Sequence, residues 1–311
     1  MEATPAKRSV ASVARASVRQ LRPKQWTKNA FLFAALVFSG EFLSLDALQL
    51  SVQGFFAFCF VSSSGYILND YLDREADRRH PKKCKRPIAS GELPESVAAV
   101  LFLATFFGGL MLAHSLSSGF LSVTVAYLVT TLSYSFFFKH LVILDVMVLA
   151  LCFVWRAVAG AVAIVVPASP WLFLCTGFLA LFLGFHKRRA ELVQLGAVKE
   201  TRKSLRKYTP KMLEQYQGMV MAATVLSYAL YTLTSEANNG LVLTVPWVLY
   251  GLFRYIYVVE HKGEGDAPDE TLLKDAPLFL TAVGYVLTAM LVLWVGQLED
   301  PPEMFRVLTG W

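Results

Sequence analysis

Apolar runs broken by short polar segments recur along almost the whole chain, near residues 28–43, 48–68, 96–115, 120–138, 141–166, 171–186, 215–234, 240–259 and 277–297. Each is about long enough to cross a hydrocarbon core ~30 Å thick at a helical rise of ~1.5 Å per residue. The pattern predicts an all-α integral membrane protein of about nine transmembrane helices around a central polar cavity open to the cytoplasmic side. A basic cytoplasmic arm (1–27), a nine-span catalytic domain (28–297) and a short non-cytoplasmic tail (298–311) follow from it. No fixed-period repeat, low-complexity tract or soluble domain interrupts the series.

Composition supports the membrane reading: 55% of residues are hydrophobic and only 17% are charged, against about 25% charged in an ordinary soluble domain. The first 28 residues do not read as a cleavable signal, because their positive charges continue to Lys28 with no short apolar core behind them. Charge then fixes the expected orientation. With the N-terminus inside, the arm through Lys28, the 69–95 loop, the 139–140 turn, the 187–214 loop and the 260–276 loop share one side, and they hold 26 of the 29 Lys and Arg residues. Arg156 and Arg254 lie within spans and only Arg306 falls on the opposite side, which is the asymmetry of the positive-inside rule. The four cysteines are scattered, without metal-ligand spacing, so neither a disulfide framework nor a zinc site is expected.

Topology accounts for the basic residues in these loops but not for their carboxylates. The second span ends in Asn69-Asp70-x-x-Asp73-x-x-x-Asp77. A continuing helix would put Asp70, Asp73 and Asp77 on one face, at i, i+3 and i+7, with Asn69 beside them. Three carboxylates on one stripe repel each other unless a cation sits on them, and hard oxygen ligands of this kind suit Mg²⁺, which fills its octahedron with water and phosphate oxygens. Arg78, Arg79, Lys82, Lys83, Lys85 and Arg86 follow directly, as charges able to hold those phosphates.

Asn69-Asp70-x-x-Asp73-x-x-x-Asp77 followed by Arg86-Pro87-Ile88-Ala89-Ser90-Gly91 resembles the first aspartate-rich motif of the UbiA superfamily of intramembrane prenyltransferases. Within that superfamily the chain is most similar to the decaprenyl-phosphate phosphoribosyltransferase branch. The residues that carry this likeness are Arg22-Pro23-Lys24-Gln25-Trp26-Thr27-Lys28-Asn29, Tyr134 and Lys139 with Leu144-Asp145, Arg156-Ala157-Val158-Ala159-Gly160, Lys187-Arg188-Arg189-Ala190-Glu191-Leu192, and Leu273-Lys274-Asp275-Ala276-Pro277. The resemblance implies transfer of 5-phosphoribosyl from its 1-diphosphate to a polyprenyl phosphate in the bilayer of the bacterial plasma membrane. It implies Mg²⁺ on Asn69, Asp70, Asp73 and Asp77, with Tyr134 and Lys139 at the mouth of the same pocket. That pair is one residue further apart than the Tyr-x-x-x-Lys of aromatic prenyltransferases. Lys24, Lys28, Lys187, Arg188 and Arg189 are expected to grip the phosphates, with Lys83, Arg86, Asp145, Arg156 and Glu191 completing the substrate-binding set. The acceptor oxygen is already ionised near neutral pH, so no strong base is needed.

One departure from the superfamily is informative. Aromatic prenyltransferases carry a second Asp-rich motif after the sixth span, whereas residues 187–214 contain no Asp, and Glu191, Glu200 and Glu214 stand among nine Lys and Arg. So basic a wall suits a donor with a phosphate beyond its diphosphate. Within the fifth span, Asp145 and Arg156 are eleven residues apart, too far to meet, so each needs another partner. Arg254 is expected to snorkel to the interface, and His186 is read as a helix-end residue, not a general base. The rival readings are a polyprenyl transferase acting on an aromatic or other acceptor, which requires the missing second motif, and a transporter of an anionic lipid or metabolite, which requires paired broken spans in two related halves. Partners beyond donor, acceptor and membrane lipids are not indicated; nucleic acid is not expected, and a homo-oligomer is left open.

Overall fold

The computed structural model describes residues 9–79, 83–194, 204–234, 239–262 and 268–298, and among them all regular structure is helical. The helices are α1 (Val10–Leu21), α2 (Phe33–Phe38), α3 (Leu45–Leu72), α4 (Arg74–Arg79), α5 (Glu95–Leu116), α6 (Ser118–Phe136), α7 (Leu144–Ala163), α8 (Pro170–Gln194), α9 (Pro210–Thr234), α10 (Val245–Lys262), α11 (Pro268–Lys274) and α12 (Ala276–Val295). Seven helical segments among the described residues are long and apolar enough to cross a membrane: those of α3, α5, α6, α7, α8, α10 and α12. The other two expected spans take a different form. Residues 28–43 are built from 3₁₀ turns (Pro23–Leu32 and Glu41–Leu43) flanking the six-residue α2. The 215–234 run lies within α9, where Gln215, Gln217, three tyrosines and three threonines dilute its apolar character.

The chain falls into two compact units, Met1–Ala30 with Val52–Leu128, and Phe31–Ser51 with Val129–Trp311. In the first, Gly109 of α5 lets the helix approach α3 so closely that a Cβ there would meet the Ala57 carbonyl and the Val61 amide at 3.1 Å. Small residues serve this purpose in membranes, where helices associate through packing and not through the exclusion of water. Ala16 of α1 is buried with Ile67, Ile88, Leu93 and Ala98, fixing the basic helix beside the end of α3.

In the second unit α7 is the most enclosed of the seven candidate spans. Its Ala157, Ala159, Gly160, Ala161 and Ala163 form a small-residue surface, and a Cβ on Gly160 would lie 1.9 Å from the Leu32 carbonyl oxygen. Val146 of α7 fits against Gly184 of α8. A buried apolar cluster of Phe182, Phe185, Leu205, Tyr208, Leu213, Leu252 and Tyr255 holds the ends of α8, α9 and α10 together with the 204–208 segment.

Candidate active site

The first cluster forms where α3 ends. The turn at Asp73 does not break the helical path, because Asp73 N–H donates to the Asn69 carbonyl at 2.9 Å and Asp77 N–H to the Asp73 carbonyl at 2.8 Å. Asp70 and Asp77 therefore share a face as the spacing requires, and both are buried, at 1% and 3% exposure. The cations on this face are guanidiniums. Arg86 Nη1 bridges the two carboxylates, donating to Asp70 Oδ1 at 2.9 Å and Asp77 Oδ2 at 2.6 Å. Arg22 Nη2 donates to both oxygens of Asp70, at 2.7 and 2.6 Å, while its guanidinium lies over the Tyr66 ring.

Arg22 reaches Asp70 because it caps α1 in the left-handed region, at φ 55°, where a long side chain is rarely found. The residues on either side of it are pinned to α3: Trp26 Nε1 donates to Ser63, Ser63 Oγ donates to the Leu21 carbonyl, and buried Asn29 donates to Cys59 Sγ. The Arg22–Asn29 segment thus acts through its anchors as well as its charges. Lys24 is exposed, Lys28 is held by Gln25, and Lys83 and Asn69 are half-buried.

Gln20 belongs to the same cluster, with no signal of it in the sequence pattern. Its Nε2 donates to Asp70 Oδ2 at 2.9 Å, and among the described residues its buried Oε1 has no donor. An amide oxygen without a donor, beside a buried carboxylate, is a hard ligand of the kind Mg²⁺ takes. Among the described residues no three His, Cys, Asp or Glu side chains gather closely enough to cage a metal by themselves. The donor set therefore fits an ion that arrives with phosphate oxygens, not a resident all-protein site.

The second cluster lies in the other unit, around Asp145 at the first turn of α7. Asp145 is fully buried and accepts from Arg188 Nε at 2.8 Å, Tyr208 Oη at 2.7 Å and Ser204 Oγ at 3.3 Å. Arg188, itself 2% exposed, also donates to Glu191 at 2.6 Å and reaches Tyr134 Oη at 3.4 Å. Asp145 and Arg188, both expected in the substrate-binding set, are paired with each other in the interior, where a lone charge is costly. Burial and the Asp145 carboxylate both push the Tyr208 hydroxyl above its usual range, so it remains a donor to Asp145. The carbonyl of Lys139, on the turn between α6 and α7, accepts from Ser204 Oγ at 3.0 Å.

The remaining predicted residues separate by environment. Arg156 is buried, donates to the Cys152 carbonyl at 2.8 Å and lies over the Phe153 ring. Arg189 pairs with Glu260 and, at 3.2 Å, with Glu214. These two carboxylates line a cavity of about 220 Å³ with His186 and Gln217. His186 is buried between Phe182 and Tyr255. Lys187 is half-buried on α8. Arg254 makes a two-pronged pair with Asp275 at the start of α12, 3.0 Å on each arm, and Lys262 adds a third contact at 2.8 Å. Glu200 and Arg202 lie outside the described residues.

Fold and clusters together define an all-helical integral membrane protein with a buried carboxylate–guanidinium site at a helix end. The chain belongs to the UbiA prenyltransferase family, whose model matches residues 30–283. It is 34% identical over 293 residues to the decaprenyl-phosphate phosphoribosyltransferase of Corynebacterium glutamicum, covering 89% of this chain and 86% of that one. The decaprenyl-phosphate phosphoribosyltransferase of Mycobacterium tuberculosis is also 34% identical, over 283 residues that cover 87% and 92% of the two chains. The structure of a UbiA homologue from Archaeoglobus fulgidus bound to GPP and Mg²⁺ shares the fold, with a TM-score of 0.70 at 20% identity over 90% of this chain and 99% of that one.

Proposed function

We propose that the chain is an Mg²⁺-dependent enzyme that transfers 5-phosphoribosyl from 5-phosphoribosyl 1-diphosphate to a polyprenyl phosphate of decaprenyl type, releasing pyrophosphate. The observation that carries the reading is the pair of buried carboxylates, Asp70 and Asp77, bridged by Arg86 and flanked by Arg22 and the orphan oxygen of Gln20. The choice of donor and acceptor rests on the two phosphoribosyltransferase relatives and on the basic, Asp-free 187–214 stretch.

Asn69, Asp70, Asp73 and Asp77 would hold the Mg²⁺, which when bound supplies positive charge that stabilises the departing pyrophosphate. Arg22 and Arg86 each carry five N–H donors, so they can keep their carboxylates and still hold phosphate oxygens, joined by Lys24, Lys28 and Lys83. Lys187 and Arg189 bind the 5-phosphate, and Tyr134 and Lys139 orient the reacting groups. As pyrophosphate leaves, the ribose C1 gains positive character, and the ionised phosphate of the acceptor attacks it without needing a base. The site faces the cytoplasm, with the N-terminus on the same side, in agreement with the charge distribution.

Donor choice is tested by titrating the purified protein, at fixed Mg²⁺ and salt, with phosphoribosyl diphosphate, pyrophosphate and geranylgeranyl diphosphate. Phosphoribosyl diphosphate is expected to bind most tightly, and Lys187→Ala to weaken it by about tenfold or more while sparing pyrophosphate, because a hydrogen bond to a charged phosphate contributes roughly 1.5–3 kcal/mol. Binding of geranylgeranyl diphosphate but not phosphoribosyl diphosphate would return the chain to ordinary prenyl transfer.

A further inference from the structure

Ile143 sits between the Lys139 turn and α7 with φ 70° and ψ −51°. A β-branched residue at positive φ is a true outlier, and such strain persists only where neighbouring structure over-determines it. The neighbour that does so here is Tyr208. Its hydroxyl accepts the Ile143 N–H at 2.7 Å and donates to Asp145 Oδ1 at 2.7 Å. One phenol thus joins the strained amide to the first turn of the helix that follows.

The same short segment ties the other end of the turn. Ser204 Oγ reaches the Lys139 carbonyl at 3.0 Å and Asp145 Oδ2 at 3.3 Å, while Leu205 and Tyr208 are themselves locked into the buried apolar cluster. Residues 204–208 therefore hold the 139–143 turn at both ends, and Asp145, itself bonded to Arg188, anchors both ties.

We propose that Tyr208, with Ser204, is a positioning residue for the transfer reaction, fixing the strained 139–143 turn so that Lys139 is held in its working place. The inference rests on the reading that Lys139 serves the reaction. It assigns a task to a tyrosine whose hydroxyl is committed to the Ile143 amide and to Asp145, and it explains why Asp145 is fully enclosed. A side chain on a loosely held turn loses the advantage of orientation, and displacement by about 1 Å is worth up to about 100-fold in rate.

The test is a double-mutant cycle on the full-length protein in detergent, with kcat and KM measured for wild type, Tyr208→Phe, Lys139→Ala and the double variant. Thermal melting of each reports on folding, and Tyr228→Phe, which removes a buried hydroxyl bonded to Thr244, serves as the control that leaves activity unchanged. Tyr208→Phe is expected to lower kcat by about tenfold, and the double variant to be no slower than Lys139→Ala alone, the non-additivity of residues acting as a unit. If the two losses multiply, Tyr208 acts independently of Lys139 and the proposal is overturned. Full activity in Tyr208→Phe would overturn it while leaving the role of Lys139 standing, whereas full activity in Lys139→Ala would remove that role and the proposal together. Should Tyr208→Phe fail to fold, Ser204→Ala, which cuts the other tie, enters the same cycle with the same expected result.

Discussion

At the scale of single residues, Asp70 and Asp73 differ in what surrounds them. Asp70 is buried under Arg22, Arg86 and Gln20, while Asp73 is half-buried at the turn between α3 and α4. Asp70→Asn should therefore cost stability as well as activity, about 1–3 kcal/mol, because it leaves two guanidiniums short of a counter-charge; the figure is kept low since both arginines retain some contact with solvent. Thermal melting in detergent would show it. Asp73→Asn should melt as wild type does yet fall more than about tenfold in rate, a barrier change of at least ~1.4 kcal/mol. The aspartate stripe was legible because helical spacing is local. The cations that sit on it were not, because Arg22 and Asp70 are 48 positions apart and only the folded chain joins them. Asp145 follows the same rule: the sequence shows a buried charge in need of a partner, but its partners Arg188 and Tyr208 are 43 and 63 positions away.

Elements are held by features of two kinds, close approach and charge. Gly160 on α7 gives the first, and Gly160→Ala should destabilise the protein by about 1–3 kcal/mol, the usual cost of forcing volume into a packed contact; Gly218→Ala on α9, where a Cβ meets nothing within 4 Å, should be neutral or mildly stabilising. Paired melting curves decide this. Asp275 gives the second: it caps α12 by accepting from Leu278 N–H at 3.1 Å and binds Arg254 and Lys262 of α10. Its hydrogen bonds from Arg254 hold the carboxyl well below the ordinary carboxylate range. A depressed folded-state value means that this contribution is complete above the unfolded value, about 3.9, and is lost only as pH falls through the folded one. Asp275→Asn should thus lower the melting midpoint equally at about pH 6 and about pH 8. Hydropathy located the long helices well, since lipid-facing length is written directly in sequence. It could not resolve 28–43, where an apolar run is folded into short turns that pack on α7 through Leu32.

For the molecule as a whole, orientation and reaction are the two commitments. With 26 of 29 basic residues assigned to one side, Cys84 should resist a membrane-impermeant thiol reagent in intact cells, while a cysteine introduced by Ser117→Cys should react. Labelling of Cys84 from outside would invert the topology. The reaction is tested most directly by incubating purified protein with Mg²⁺, radiolabelled phosphoribosyl diphosphate and decaprenyl phosphate, then partitioning the mixture between water and organic solvent. Label is expected in the organic phase, in amounts that vanish without Mg²⁺ or with Asp73→Asn. Label that stays in water, while the same preparation joins geranylgeranyl diphosphate to an aromatic acceptor, would contradict phosphoribosyl transfer outright.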